Sequence, residues 1–421
     1  MARINKYSVN NQFSISKKQL RNLNLFWLGF IIYTIGYTLN SSIHISDKIT
    51  LLFQGIGLIL VFASTINLLH FKIENEYLRI VYFLYWLWVF ILIIRGLDSL
   101  TNYESIRYFF LNPGYGGLLY FVPVILLFPK NPVFYKKVFD AIVVLGISYI
   151  IFDILFIKYL LSSDRQSIVS QGVVEDLSRL SMPIGFILLT YSYHSNKRKL
   201  LSIIVILLTL FFAIIRARRG LIAVSLGIIL SSYIFFLFNS KIKLLIIYLS
   251  LLVISLGALY VSGIFKINNN RLFGFVAERG DEDTRASVVQ YFYADMKTKD
   301  WIIGKGINGE YFCPYIEEDA VTNYRSVIET GYLQITLKGG LINLGLILLI
   351  AIPAGILGIF YSKNILSKAA GIWIIISLLS LYPFVVVAFN LSYILVWVSI
   401  GICYSKKIRN LQEDTVKEYF Q

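Results

Sequence analysis

Charged residues are scarce in this sequence. Only 15% of its 421 residues are Asp, Glu, Lys or Arg, whereas soluble domains carry about a quarter. Long apolar runs recur from residue 24 to residue 405, and the mean hydropathy is +0.70. A helix needs about 20 mostly apolar residues to cross the hydrocarbon core of a membrane. The composition therefore excludes a soluble enzyme and predicts an all-α, polytopic integral membrane protein.

Cysteine and histidine are also rare, with two and three residues. Cys313 and Cys403 fall on opposite sides of the predicted topology, so the sequence predicts no disulfide between them and no Cys/His metal motif. His70 and His194 fall at predicted cytoplasmic ends, and His44, on the outer side, has no visible partner in the sequence, which argues against a Ser–His hydrolase. We expect neither a metal ion nor another cofactor.

The apolar runs predict about 12 transmembrane helices. Nine of them fall within residues 1–263, a large extramembrane loop follows at 264–330, and three more with a tail occupy 331–421. The predicted spans are 24–42, 49–70, 78–96, 108–128, 137–158, 178–194, 199–216, 220–238, 242–263, 334–361, 367–387 and 388–405.

The net charge of +15 is explained by orientation in a membrane. Lys and Arg collect in cytoplasmic loops, and they follow this rule in nearly every short loop if both termini are cytoplasmic. No soluble segment carries the aromatic and basic pattern of nucleic-acid recognition, so nucleic acid is not an expected partner. The turn 216–219 breaks the rule, because it is strongly basic and falls on the outer side.

Arg216, Arg218 and Arg219 supply the charge of this turn. A guanidinium presents fixed donors that match phosphate oxygens, so one interpretation is an anion-binding site. Anchoring to anionic lipid headgroups at the membrane interface is the other. The sequence leaves both open.

The outer loop contributes two further candidates. Residues 285–297 have apolar positions at helical spacing, which predicts an amphipathic surface helix with Arg285 at its start. Arg325 and Glu329 are four residues apart, which predicts that they share one helical face. Glu329 is then either the ion-pair partner of Arg325 or a general base beside a cationic site.

Asp153 lies inside the fifth predicted span. An intramembrane carboxylate is a site candidate by default, and pairing with Lys158 is the alternative interpretation.

The order of these motifs resembles the bacterial O-antigen polymerase and O-antigen ligase superfamily. The resemblance rests on the Arg-rich turn 216–219, an outer loop with a helix near Arg285, and the closing segment Glu329-Thr-Gly-Tyr332-Leu-Gln. It covers roughly residues 200–350 in motif order. It implies a GT-C-like, metal-independent and inverting glycosyltransferase in the bacterial inner membrane, with its active site facing the periplasm.

The resemblance also implies a donor glycan on undecaprenyl diphosphate. A polymerase would transfer it to a second carrier-linked repeat unit, and a ligase to a lipid A core sugar. Ligases carry a His where this chain has Glu329 and Thr330, which favours the polymerase. The implied catalytic residues are Glu329, Arg216 and Arg285; the implied diphosphate contacts are Arg218, Arg219 and Arg325; Asp153 and Tyr332 are further candidates.

The implied partners are the carrier-linked donor and acceptor, membrane lipids and a chain-length regulator. A lipid-linked oligosaccharide transporter is the main competing hypothesis, and it predicts two related halves. The sequence shows no such duplication. A scaffold for polysaccharide export leaves the three arginines unexplained.

Overall fold

The computed structural model describes residues 16–43, 47–97, 100–114, 116–162, 167–239, 284–314, 323–383 and 387–420. These residues are mostly helical. The helices are α1 Lys17–Ile43, α2 Asp47–Leu68, α3 Glu76–Leu97, α4 Tyr103–Leu111, α5 Leu118–Phe121, α6 Pro132–Leu155, α7 Ile157–Leu160, α8 Ile168–Ser181, α9 Gly185–Leu189, α10 Asn196–Ile215, α11 Arg219–Asn239, α12 Thr284–Asp295, α13 Thr298–Ile303, α14 Gly331–Phe360, α15 Ile365–Ser380, α16 Leu391–Tyr404, α17 Lys406–Arg409 and α18 Glu413–Phe420.

Short elements complete the described part of the chain. Turns of 3₁₀ helix cover Val122–Leu127, Met182–Ile184 and Tyr191–Tyr193. Two strands, β1 Tyr311–Phe312 and β2 Tyr324–Arg325, pair antiparallel with Tyr311 opposite Arg325.

Asparagine side chains start several of the helices. Asn102, Asn131, Asn364 and Asn390 each accept a hydrogen bond from the backbone amide three residues later. An amide oxygen at this position satisfies one of the backbone donors that a helix start leaves unpaired. The apolar runs therefore decide which segments are helical, and the asparagines set where four of them begin.

Seven described helices are long and apolar enough to cross a membrane: α1, α2, α3, α6, α10, α11 and α14. Three shorter apolar helices lie among them, at Leu118–Leu127, Ile365–Ser380 and Leu391–Tyr404. The prediction of an α-helical chain with several potential membrane spans is thus confirmed at this level. The count of 12 spans and the GT-C-like arrangement stay predictions, and the ninth predicted span, 242–263, lies outside the described residues.

The predicted fourth span, 108–128, is wrong as a continuous helix. Helix α4 ends at Leu111, and Asn112, which precedes Pro113, has an extended backbone. A residue before proline is pushed out of helical conformation, and three glycines in 114–117 favour a turn. Helical structure resumes only at Leu118.

Three other predicted spans also differ from the structure. The sixth, 178–194, begins earlier, at Ile168, and is interrupted at Met182–Ile184 because Pro183 has no backbone N–H to continue the α-helical ladder. Those predicted at 367–387 and 388–405 correspond to α15 and α16, with 16 and 14 residues. Both are shorter than the roughly 20 residues that a full crossing needs.

Contacts between the helix ends define two ends of the bundle. At the basal end, Gln19 contacts His70, and Asn364 donates to the Ile408 carbonyl near the C-terminus. At the distal end, the Tyr33 hydroxyl donates to the Leu111 carbonyl. All predicted site residues except Asp153 lie in segments that connect or cap the distal helix ends.

Helix α14 is interrupted near its start, where the turn that follows α13 packs against it. Gly340 has φ +68° and ψ −178°, so the α-helical ladder stops there. The carbonyls freed by the break are bound from outside the helix, because an unpaired buried carbonyl is costly. The donors are Lys305 N to Leu337 O (2.7 Å), Gly306 N to Lys338 O (2.9 Å) and Trp88 Nε1 to Gly339 O (2.9 Å).

Segments between α11 and α14 pack into a small core of their own. Phe292 from α12 is fully buried against Tyr311, with ring centroids 5.5 Å apart, and against Trp301, at 5.7 Å. Ile328 and Leu337 join the same cluster. This core fixes the segment that leads from β2 into α14, and Glu329 lies in that segment.

Candidate functional site

The basic turn begins where α10 ends. The Arg218 amide donates to the Ala213 carbonyl and Ala217 has φ +49°. This is the left-handed turn that reverses a chain at a helix C-terminus, a position that glycine usually occupies. An alanine there costs roughly 1 kcal/mol. The turn that carries the arginines is therefore strained, and other contacts must hold it.

Arg216 supplies such contacts. Its side chain is 0% exposed, and its guanidinium donates to the carbonyls of Tyr159, Leu160 and Ser162 at 2.8–3.2 Å. These carbonyls lie at the C-terminal end of α7, where the helix dipole favours a cation. These contacts give Arg216 a structural role, and the predicted contact with substrate stays a prediction.

Arg218 turns towards α8. Its Nε lies 3.2 Å from a carboxylate oxygen of Glu175, and both side chains are partly exposed. Because the Arg218 guanidinium already binds the Glu175 carboxylate, it is positioned to bind an anion. Arg219, the first residue of α11, is exposed.

Glu329 lies close enough to Glu175 for their charges to interact. Partial burial raises the pKa of the Glu175 carboxyl; the positive Arg218 opposes this rise, while the negative Asp176 and Glu329 add to it. The turn at 216–219 and the segment before α14 are more than 100 residues apart in sequence, yet the charges of both act on Glu175 of α8.

A second ion pair extends this cluster towards α1. Arg179 lies 3.1 Å from Asp176, one helical turn away on α8, and its guanidinium lies 4.9 Å from the centroid of the Tyr37 ring. Burial raises the pKa of the Asp176 carboxyl, and Arg179 and a hydrogen bond from Ser41 oppose the rise. We call Glu175, Asp176, Arg179, Arg218 and Glu329 the distal ionic cluster.

Arg325 lies in β2, where its charge acts on Tyr311 and Cys313 of the small core. Burial raises the pKa of the Cys313 thiol, and the positive charge of Arg325 opposes the rise. The prediction that Arg325 and Glu329 share a helical face is wrong, because Arg325 is in β2 and the helix begins only at Gly331. Pairing of β2 with β1 keeps this segment extended.

The remaining candidates lie apart from the cluster or outside the described part. Tyr332 donates its hydroxyl to the Leu378 carbonyl at 2.6 Å, a contact within the bundle. Asp153 is buried in α6 and interacts with Tyr149, one turn earlier; among the ion pairs of the described residues none joins it to Lys158. Arg285 is in α12, but its side chain lies outside the described residues.

The sequence interpretation missed Glu175, Asp176 and Arg179. They lie in 168–181, which the hydropathy pattern divides between an outer loop and a short span. A signal was present, since three charged residues at i, i+1 and i+4 in an otherwise weakly charged chain share one face of a helix.

The geometry joins guanidinium groups, carboxylates and a tyrosine at one end of a helical bundle. Such a site can hold an anion on Arg218 and accept a proton on a carboxylate. Comparison of the chain with protein-family models, curated proteins and solved structures finds no match. The family resemblance therefore stays a prediction.

Proposed function

We propose that this protein is a glycosyltransferase that polymerises undecaprenyl-diphosphate-linked repeat units into an O-antigen or a related surface polysaccharide. The observation that carries the proposal is that Arg218 of the basic turn pairs with Glu175 of α8, while Glu329 lies within electrostatic range of that same carboxylate. The basic turn and the segment of Glu329 are far apart in sequence and both belong to the resemblance. A membrane anchor or a scaffold gives no reason for them to converge.

In this proposal the diphosphate binds at the start of α11. Arg219 is exposed there, and Arg218 already holds a carboxylate that a phosphate could replace. The N-terminus of a long helix adds a positive dipole end that favours phosphate. Arg216 positions this turn from below through its bonds to α7.

The reaction needs one proton acceptor. The acceptor hydroxyl attacks the anomeric carbon, the bond from that carbon to the phosphate oxygen breaks, and the diphosphate leaves with the electron pair. Glu329 takes the hydroxyl proton. The arginines stabilise the negative charge that develops on the diphosphate, and one well-placed donor of this kind contributes about 2.7–4 kcal/mol.

The distribution of charge supports a periplasmic site in the bacterial inner membrane. Basic residues concentrate at the basal end, among them Lys17, Lys130, Arg198, Lys363 and Lys406. Because such residues stay in the cytoplasm, the basal end would be cytoplasmic and the distal ionic cluster periplasmic.

A lipid-linked oligosaccharide transporter is the second candidate. The break of α14 at Gly340 favours it, since interrupted helices line the substrate sites of many transporters. In this protein, however, the break is filled by the turn after α13, and we therefore rank the transferase first.

Mass spectrometry of lipid-linked glycans in cells that lack the protein tests the proposal. We expect single repeat units to accumulate. Wild-type protein should restore long chains, and Arg218→Gln should reduce them at least about 100-fold, the loss typical of one donor to a developing anion. Arg198→Gln is the matched control, because Arg198 pairs with Asp140 at the basal end.

Other outcomes identify other functions. Long chains that stay on the carrier in the deletion strain would indicate a ligase. Repeat units confined to the cytoplasmic leaflet would indicate a transporter. Normal chains made by a well-expressed Arg218→Gln protein would remove the basic turn from the site.

A further inference from the structure

A polar cleft opens at the distal end between α1, α2 and α4. Its volume is about 460 Å³, within the range of about 300–1,000 Å³ that is typical of ligand pockets. The side chains that line it include Tyr37, Ser41, Gln54, Glu104, Arg107 and Tyr108. None of them belongs to the motifs of the family resemblance.

The chemistry of the lining favours a neutral, hydroxyl-rich ligand. Glu104 and Arg107 carry opposite charges, so the cleft offers no excess charge for a phosphate. The amides of Asn40, Gln54 and Asn112 provide donors and acceptors together. Two tyrosine rings add apolar faces with polar tips. A lipid acyl chain would leave these polar groups unpaired, whereas a sugar matches both the hydroxyl-bonding groups and the ring faces.

Gln54 marks the inner wall of the cleft. Its side chain is 2% exposed, and its Nε2 has no hydrogen-bond partner among the described residues. An enclosed amide without a partner destabilises a fold, so a turn of this side chain towards the cleft, where Nε2 can bond an oxygen of a bound sugar, is favourable. Nothing about packing requires an amide here, since an apolar side chain of similar size would fill the same space.

The cleft shares its wall with the distal ionic cluster. Tyr37 lines the cleft and also carries Arg179 over its ring at 4.9 Å. Ser41 lines the cleft and lies close enough to Asp176 to lower the pKa of its carboxyl. The Tyr33 hydroxyl donates to the Leu111 carbonyl at 2.8 Å, which ties α4 to α1 and keeps the cleft walls together. A sugar chain in the cleft therefore extends towards the cluster.

We propose that this cleft binds the sugars of the acceptor repeat unit. The proposal rests on the proposed glycosyl transfer, and it adds a binding site that the transfer alone does not specify. The acceptor is assigned because its reacting sugar brings no phosphate to the reaction, while the phosphates of the donor match Arg218 and Arg219. The geometry then places the attacking hydroxyl between the cleft and the cluster.

The test uses full-length protein in nanodiscs and the free repeat-unit oligosaccharide, released from its carrier by mild acid. Saturation-transfer NMR should detect binding to the wild type. Gln54→Leu should weaken binding about tenfold, the value of one good hydrogen bond, without loss of folding. Asn67→Leu on the same helix is the matched control, because Asn67 is exposed and bonds only within α2.

The results separate this proposal from the proposed function. If Gln54→Leu binds as tightly as the wild type, or the wild type does not bind, the cleft is not the acceptor site, whatever the transfer activity. If binding depends on Gln54 and no bond is formed from carrier-linked donor, the cleft is confirmed as a sugar site and the transferase fails. If transfer occurs, Gln54→Leu should raise the KM for the acceptor with little change in kcat.

Discussion

Arginines of the basic turn at the distal end differ in whether their charge contacts the protein or the surroundings. Arg216 and Arg219 have the same side chain and lie three positions apart, yet one is fully enclosed and the other is exposed. The enclosed guanidinium binds carbonyls of α7, so its charge supports the fold. The exposed one is available to a ligand.

This difference predicts a separation of stability from activity. Arg216→Met keeps much of the side-chain volume but removes every donor to α7, so the free energy of unfolding should fall by about 3 kcal/mol or more. Arg219→Met should change it by less than about 0.5 kcal/mol, as is usual for an exposed position. Thermal unfolding of the purified variants in detergent measures both.

The opposite pattern would contradict the structural role of Arg216. A stable Arg216→Met protein without glycosyl transfer would mean that its guanidinium acts on the substrate, as the sequence interpretation proposed.

At the residue scale, the sequence predicted which kinds of residue are site candidates better than it predicted the contacts that those residues make. The basic turn was recognisable because it violates the charge rule for membrane loops. Which of its arginines faces inward depends on Ala217, whose left-handed backbone turns Arg216 and Arg218 to different neighbours. Glu175 was missed for the same reason, since its relevance arises from the approach of Arg218.

At the scale of elements, the interruption of helix α14 depends on two glycines, Gly304 and Gly340, whose backbones are in close contact. A Cβ on Gly304 would meet the Gly340 amide at 2.5 Å, and a Cβ on Gly340 would overlap the Ile302 carbonyl. Both glycines also have φ +68°. Only residues without a side chain allow the α13 turn to enter the break and bind the free carbonyls there.

Gly340→Ala should therefore lower the midpoint temperature of unfolding strongly or prevent accumulation of folded protein. Gly345→Ala, five residues later in the same helix, meets nothing within 4 Å, and should be neutral or stabilising by up to about 1 kcal/mol. Size-exclusion profiles and thermal unfolding of both variants measure this. Equal stability of the two variants would show that the backbones of Gly304 and Gly340 are not in close contact.

Elements that follow simple apolar periodicity were predictable, and interrupted ones were not. The second, third, seventh and eighth spans agree with helices to within three residues at each end, and the helices of the first and fifth begin seven and five residues earlier than predicted. The fourth and sixth fail at Pro113 and Pro183, where hydropathy stays high but the backbone hydrogen bonds are broken. A hydropathy average depends only on the side chains, so it does not detect a proline that lacks the backbone N–H.

At the scale of the whole molecule, the two ends of the helical bundle carry different groups of residues. The basal end collects basic residues and the docked C-terminal helix α18, whose Glu413 accepts hydrogen bonds from Tyr193 and from the Ile365 amide. The distal end carries the ionic cluster and the polar cleft side by side. The orientation of the ends in a membrane stays a prediction of the sequence, and the joining of α8 to the basic turn required the packed structure.

The most direct measurement is elongation by purified protein in nanodiscs, with a single carrier-linked repeat unit as the only substrate. Our account predicts products whose masses rise in steps of one repeat unit, with one undecaprenyl diphosphate released at each step. A repeat unit that keeps its original mass in the presence of folded protein, whether or not it has changed leaflet, would contradict glycosyl transfer at the distal ionic cluster.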